Sequence, residues 1–419
     1  DYVELLSKAE VQRVPCMQHR IFLGAGQREG FMDRDTFCGL AESVYPDEVE
    51  KRHAGTAITD AALMFYTSGT TAMPKGCPLD HIVLQHAGVV GGTDRLRLTA
   101  GDVVWNPLPM FHSAFTQPLT GTLHVGGTLV SMAHFEPVEA LNLITRERVT
   151  VAFPAFPAIT LQILHHPRYT PDALRDVRVM LNVGTPEELV AMQSLMPHTT
   201  QITCFGMSEC GGSVAMCNPD DPLPLRSECS GQALPGIDIE VRDPETGETL
   251  AHGEPGEIVA RGRGVFRGYY NDPEKTEAAF WDDGWFRTGD LGVLDAEGRV
   301  TFRGRLKDML KVGGENVAAV EIEGYLALHP AVKLAQVVGL PDEKYGEVPV
   351  AFIELVPDAE TTEAEMINFC RGEIASFKVP RHVRFVRNWP MGATKILKSA
   401  LRERILAEIT PPEAGITFL

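Results

Sequence analysis

The 419-residue sequence predicts an α/β fold: a large N-terminal domain of layered α/β subdomains plus a β-rich, barrel-like subdomain, then a small α+β C-terminal domain. Three observations predict it. A strand-like run, Ala61 to Tyr66, feeds a Gly/Thr-rich loop, and from there to about Cys217 apolar runs alternate with helical patterns. Between Gly231 and Gly304 the texture becomes short alternating strands joined by Gly-bearing turns. After Asp308 a compact series of helix, strand, helix, strand and helix follows.

Each element has its own signal. In the first body, Val103 to Trp105, Gly127 to Ser131 and Val177 to Asn182 read as strands, and Pro137 to Arg148 has helical spacing. In the second, Ile237 to Val241 and Gly292 to Phe302 alternate, with turns at Glu245-Thr246-Gly247 and Asp295-Ala296-Glu297-Gly298. A helix start stands out at Asn271-Asp272-Pro273-Glu274, where Asp272 can cap and Pro273 can occupy the first helical position. In the third, the spacing predicts helices over Val320 to Leu328, Glu363 to Ile374 and Leu397 to Ile409, and strands over Pro349 to Val356 and His382 to Val386.

Bulk composition narrows the function. With 44% hydrophobic and 22% charged residues the chain is ordinary globular protein. The 38 basic against 56 acidic residues give a net charge of −18, which argues against a nucleic-acid partner. Eight cysteines lack CxxC pairs or metal-ligand spacing, so free thiols and a cytoplasmic setting are expected. No apolar run reaches membrane-spanning length. The chain starts at Asp1, which suggests a start inside a longer gene product.

The strongest local feature is Tyr66-Thr67-Ser68-Gly69-Thr70-Thr71-Ala72-Met73-Pro74-Lys75-Gly76. Small residues expose backbone N–H groups, four hydroxyls add donors and Lys75 supplies charge, which suits a polyphosphate. It is not the G-x-x-x-x-G-K-[ST] loop, because Lys75 precedes the closing Gly76. A plain surface turn has the same composition. The loop resembles the phosphate-binding signature of the adenylate-forming superfamily, which comprises acyl-CoA synthetases, adenylation domains of peptide synthetases and luciferases. Ala72 stands where that family usually has glycine.

Further motifs follow in the family's order. Phe111-His112-Ser113 resembles the motif bordering the acyl pocket, Val183-Gly184-Thr185-Pro186 the turn against adenine, and Phe205-Gly206-Met207-Ser208-Glu209 the Y-G-x-T-E block. The resemblance implies that Phe205 stacks on the base and that Glu209 ligates the magnesium of MgATP. Trp285 to Asp290 matches the R-T-G-D motif, in which Asp290 would hold the ribose diol. Gly256-Glu257-Ile258 and Gly268-Tyr269-Tyr270 resemble another block, read mainly as structural. Gly304 to Asp308 with Gly313-Gly314 matches the hinge block: Arg305 would contact ribose or phosphates, Asp308 would be the pivot, and Gly313 and Gly314 would line a coenzyme A tunnel. Lys395 matches the C-terminal lysine that bridges substrate carboxylate and α-phosphate, with Thr394 in place of glycine.

The resemblance implies a large domain over 1–304, β-rich over about 231–304, a hinge at 305–308 and a small mobile domain over 309–419. What precedes the phosphate loop is shorter than the family's usual N-terminal portion. The implied activity is ATP-dependent formation of an acyl-AMP from a carboxylic acid, then acyl transfer to coenzyme A, with ATP, Mg2+ and coenzyme A as cofactor and co-substrates. Catalytic roles fall to Lys395, Glu209, His112 and Lys75, and the acyl pocket to His112, Phe153 and Gly211. The alternatives are an enzyme that loads the phosphopantetheine of a carrier protein and a nucleotide or acyl-adenylate binder without turnover.

Overall fold

The computed structural model describes residues 16–67, 74–391 and 396–409. The chain forms two compact units, Asp1–Asp60 and Ala61–Leu419. In the first, Ile21–Phe22 pairs in parallel with Met32–Asp33. Helix Arg34–Gly39 follows, with the Asp33 carboxylate accepting from the Thr36 N–H at 2.8 Å as its cap. Pro46 opens the next helix, Pro46–Ala54.

The second unit starts with an antiparallel hairpin, β1 (Ala61–Thr67) and β2 (Lys75–Asp80), in which Thr67 lies opposite Lys75. A helical segment, α1 (His81–Gln85) continuing as a π-helix over His86–Arg95, leads into a parallel sheet. The sheet's strands are β3 (Val103–Asn106), β4 (Thr128–Ser131), β5 (Val151–Ala155), β6 (Val179–Asn182) and β7 (Thr200–Ile202). Their order in the sheet is β4-β3-β5-β6-β7. Alternate side chains enter two cores: Val104, Val151, Phe153, Val179 and Leu181 pack on one face, Trp105, Ala152 and Met180 on the other. Covering both faces are α2 (Ser113–Val125) on the first and α3 (Pro137–Arg146), α4 (Pro157–Leu164) and α5 (Pro186–Leu195) on the second.

A small antiparallel sheet follows, from β8 (Cys204–Met207), β9 (Gly212–Met216) and β10 (Gln232–Ala233). The β-rich stretch is an antiparallel meander of β11 (Ile237–Arg242), β12 (Gly256–Gly262), β13 (Phe286–Leu294) and β14 (Val300–Arg305). Its hydrogen-bonded path, among the described residues, runs open from β11 to β14. The expected cap is present at α6 (Pro273–Ala278), where Asp272 Oδ1 accepts from the Lys275 N–H at 3.1 Å.

Beyond Arg305, β15 (Met309–Val312) and β16 (Glu315–Ala318) form a hairpin, then come α7 (Ala319–Ala327), β17 (Val332–Asp342), β18 (Gly346–Leu355), α8 (Glu363–Cys370), β19 (His382–Phe385) and α9 (Lys398–Ile409). Their buried apolar side chains form two clusters drawn entirely from residues after 309. Two expectations need correction. The helix expected to reach Ile374 ends at Cys370, two residues before Gly372 at φ 82°. Strand β17, absent from the sequence reading, pairs with β18 along ten register positions.

Candidate active site

In a doubly wound sheet, ligands bind beyond the carboxyl ends of the strands where the order reverses. Here that point lies between β3 and β5, since β4 folds back outside β3 while β6 and β7 continue beyond β5. The segment after β3 carries His112 and the segment after β5 carries Phe156. Their rings meet edge to face with centroids 5.8 Å apart. His112 is the N-cap of α2, and its Nδ1 accepts from the Ala114 N–H at 3.1 Å, which fixes the ring plane. Ala155, the last residue of β5, has φ 59°, a left-handed conformation that alanine adopts at a cost of about 1–2 kcal/mol. Its carbonyl accepts from the Val183 N–H at 2.8 Å, joining the ends of β5 and β6. Met110, Phe111 and Val183 are exposed apolar side chains on the segments after β3 and β6.

Phe153 does not reach this mouth. It is 1% exposed, since β5 is a central strand buried on both faces, and Phe156 stands beside His112 in its place. The turn after β6 is a helix start. Thr185 caps α5 in a capping box in which Glu188 Oε2 accepts from the Thr185 N–H at 2.9 Å and the Thr185 hydroxyl accepts from the Glu188 N–H at 3.3 Å, with Pro186 at the first helical position. Burial raises the Glu188 carboxyl above its usual range, the Thr185 N–H opposing that shift. A Cβ at Gly184 would lie 2.7 Å from Glu188 and 2.8 Å from Pro157.

Opposite ends of the phosphate loop are placed by the β1–β2 hairpin; Ser68, Gly69, Thr70, Thr71 and Ala72 lie outside the described residues, while Thr67 and Lys75 are paired. Two carbonyls, one on each side, are bracketed by the segment 266–270. The Tyr270 N–H donates to Gly76 O and the Phe266 N–H to Glu209 O, both at 2.8 Å. Between them the Lys75 Nζ sits 4.6 Å from the Tyr269 ring centroid, and the Tyr269 hydroxyl donates to Glu209 Oε1 at 2.9 Å. Burial and then the Glu209 charge push the Tyr269 phenol well above its usual range, so it stays protonated and donates.

Glu209 lies in a short 3-10 turn, Ser208–Cys210, closed by Gly211 at φ 66°. Gly206 packs so closely on β9 that a Cβ would fall 2.1 Å from the Gly212 carbonyl. Phe205 is 6% exposed and one face of its ring stacks on Phe302, with centroids 6.1 Å apart. Met207 and Ser208 are half-buried beside it.

Asp290, on β13, is 2% exposed and ion-paired with Arg305 of β14, Nε to Oδ1 2.9 Å; the two are register partners. The turn before it is shaped by Glu257, whose two oxygens accept from the Gly289 N–H at 3.1 Å and the Arg287 Nε–H at 3.0 Å. Asp308 ends a 3-10 turn, Leu306–Asp308, between β14 and β15. Gly313 at φ 63° and Gly314 at φ 92° are the two central residues of the β15–β16 hairpin, which demands positive φ at both. Lys395 lies outside the described residues.

Among the described residues no three His, Cys, Asp or Glu side chains group as a metal cage. For the Mg2+ of MgATP, which phosphates and water largely hold, Glu209 fits as a single protein carboxylate, one of its oxygens being engaged by Tyr269. Tyr269 and Glu257 are the site residues that sequence reasoning passed over as structural. The signal available was their place in motifs that bracket the phosphate loop and precede Asp290.

Residues 18–270 match the family described as AMP-binding enzyme, and residues 321–395 the AMP-binding enzyme C-terminal domain. YngI of Bacillus subtilis (strain 168), an acyl-CoA synthetase by name, is 34% identical over 94% of this chain and 72% of its own length. 4-Coumarate–CoA ligase 3 of Oryza sativa subsp. japonica is 34% identical over 84% of this chain and 65% of its own. ATP-bound MatB from Rhodopseudomonas palustris superposes with a TM-score of 0.77 at 31% identity, covering 88% of this chain and 77% of that one. Apo MatB, at the same identity and coverage, gives 0.65.

Proposed function

The chain belongs to the AMP-binding enzyme family, and we propose that it runs the two half-reactions of an AMP-forming acid–CoA ligase with the residues gathered above. The activity, acyl-AMP formation from a carboxylic acid followed by transfer to coenzyme A, is that of its acyl-CoA synthetase and CoA ligase relatives. The observation that carries the assignment of residues is the convergence of Lys75 and Glu209, 134 positions apart, on the one side chain of Tyr269.

In the first half-reaction a carboxylate oxygen attacks the α-phosphorus of ATP and pyrophosphate leaves. Lys75 and the loop residues Thr67 to Thr71 hold the departing phosphates, and Lys395 neutralises charge between carboxylate and α-phosphate. Glu209 would hold the Mg2+ of MgATP, which when bound supplies positive charge to offset the phosphates. Asp290 would take the ribose hydroxyls, with Arg305 moving from it toward the nucleotide. Gly184 to Pro186 and Gly206 to Ser208 would flank the adenine. In the second half-reaction the thiol sulfur attacks the acyl carbon, AMP leaves and the thiol proton goes to solvent.

The small domain over 309–419 would turn about Asp308 between the two steps, and Gly313 and Gly314 would then border the pantetheine path. The higher likeness to ATP-bound than to apo MatB supports reading this structure as the adenylation arrangement. His112, Phe156 and the exposed Met110, Phe111 and Val183 support an acid with an apolar or aryl body.

ATP–pyrophosphate exchange with a panel of aryl, fatty and short dicarboxylic acids tests the reading. Exchange with aryl or fatty acids, and AMP release on adding coenzyme A, are expected. No exchange with any acid would leave a binder without turnover, and release only with a phosphopantetheinylated carrier would replace coenzyme A as acceptor. Lys395→Ala should lower adenylation by roughly 10² to 10³ while thioester formation from synthetic acyl-AMP survives.

A further inference from the structure

The proposed reaction gives Tyr269 no task, yet its side chain meets both Lys75 and Glu209. Its backbone neighbours are fixed at both ends: Phe266 to the Glu209 carbonyl and Tyr270 to the Gly76 carbonyl, each at 2.8 Å. Arg267 adds a charged clamp to the hairpin, its Nε 2.9 Å from Asp80 Oδ2. The Tyr269 N–H itself donates to Thr276 Oγ1 at 2.9 Å, and its ring packs edge-on against Phe266 with centroids 4.9 Å apart. The phenol is therefore carried on a backbone anchored at both ends and packed on one ring edge.

We propose that Tyr269 is a positioning residue for adenylation: its hydroxyl fixes one oxygen of Glu209 so that the other faces the magnesium of MgATP, while its ring holds the Lys75 ammonium beside the phosphate loop. The proposal rests on Glu209 being a magnesium ligand. A glutamate that must bind Mg2+ through one oxygen has three side-chain torsions to order before the ion arrives, and a hydrogen bond from a fixed donor restrains them in advance. The ring adds a second function, because its π face attracts the Lys75 ammonium through a contact that phosphate need not displace.

Two substitutions separate the two functions. Tyr269→Phe keeps the ring and removes the hydroxyl; Tyr269→Leu removes both. Titration calorimetry measures ATP affinity with saturating Mg2+ and with EDTA, and pyrophosphate exchange gives the Mg2+ concentration for half-maximal rate. Tyr269→Phe should raise that Mg2+ concentration about tenfold, as loss of a ligand-orienting partner does, while ATP affinity in EDTA stays at the wild-type value. Tyr269→Leu should in addition weaken ATP in EDTA about two- to fivefold through Lys75. Thioester formation from synthetic acyl-AMP should be unchanged in both, and thermal melts identify any variant that loses its fold. Glu209→Gln is the control for the underlying reading. If Glu209→Gln shifts the Mg2+ dependence and Tyr269→Phe does not, the positioning role is refuted. If Glu209→Gln leaves the Mg2+ dependence untouched, the magnesium reading itself fails and the Tyr269 role falls with it.

Discussion

Replacing Glu257 by glutamine should test how the turn ahead of Asp290 is held. Glu257 is 1% exposed and serves two partners, the Arg287 guanidinium and the Gly289 N–H. Glutamine keeps the shape and one acceptor, but its amide N–H group would face Arg287 and the ion pair would be gone. Breaking a buried pair by removing one charge costs about 3–5 kcal/mol. Arg287 is not stranded, however: its Nη2–H also donates to Pro244 O at 3.0 Å and its guanidinium lies 4.1 Å from the Trp281 ring centroid. That lowers the expected loss to about 2–3 kcal/mol. At roughly 2–4 °C per kcal/mol for a domain of 150–250 residues, the melting temperature should fall by about 4–12 °C. The assay is a thermal melt of purified wild type and variant at one protein concentration, repeated in urea. A variant that melts within about 1 °C of wild type would refute the claim that Glu257 organises this turn.

Asp290→Ala should weaken ATP by about 1.5–3 kcal/mol, the value of hydrogen bonds to a charged group, without altering the ranking of acids; calorimetric titration of ATP checks it, and unchanged affinity in a folded variant ends the ribose assignment. His86 is buried, with Nε2 2.9 Å from Pro235 O, and burial lowers its pKa below the usual 6.5. The unfolded chain then binds the proton first, so the neutral folded form is fully favoured above about pH 6.5 and stability falls as pH drops below it. Urea melts between pH 5 and 7.5 should show that slope, and His86→Gln should flatten it. Gly314→Ala should cost about 1 kcal/mol through its φ of 92° alone, since a Cβ there meets nothing within 4 Å, and Gly314→Asn should cost less; equal losses in urea melts would refute a turn-conformation origin.

Much of this was legible in the chain. A short apolar run and a Gly/Thr-rich boundary place β1 within one residue of its observed end, and Asp272-Pro273 marks a helix start that forms as written. What was hidden depends on neighbours that no local pattern names. Strand β17 carries Gly339 and Pro341, which lower strand propensity, and it tolerates them because it pairs on one side only, with β18. Phe153 belongs to an apolar run that reads equally as pocket wall or core, and only the central position of β5 decides for the core. Phe205 meets Phe302 across nearly a hundred residues. Tyr269 looks like one aromatic in a Gly-Tyr-Tyr motif until the backbone bonds of Phe266 and Tyr270 draw it between Lys75 and Glu209.

The chain carries a net charge of −18, yet the proposed substrate is a polyanion. At physiological ionic strength the Debye length is about 8 Å, so charges spread over the surface are largely screened and donors in contact decide. Two structural ends compete for that task, the start of α5 and the β1–β2 hairpin. The start of α5 is largely engaged: Pro186 has no N–H, the Thr185 and Glu188 N–H groups are satisfied within the capping box, and the Glu188 carboxylate itself sits at the helix N-terminus. A phosphate brought there would meet a carboxylate, whereas a neutral heterocycle would not. At the hairpin, by contrast, the Lys75 ammonium lies 4.6 Å from the Tyr269 ring centroid and is a cation that an anion can meet. The division of labour proposed for the site, with base near α5 and phosphates beside Lys75, therefore follows from which backbone and side-chain groups are already engaged.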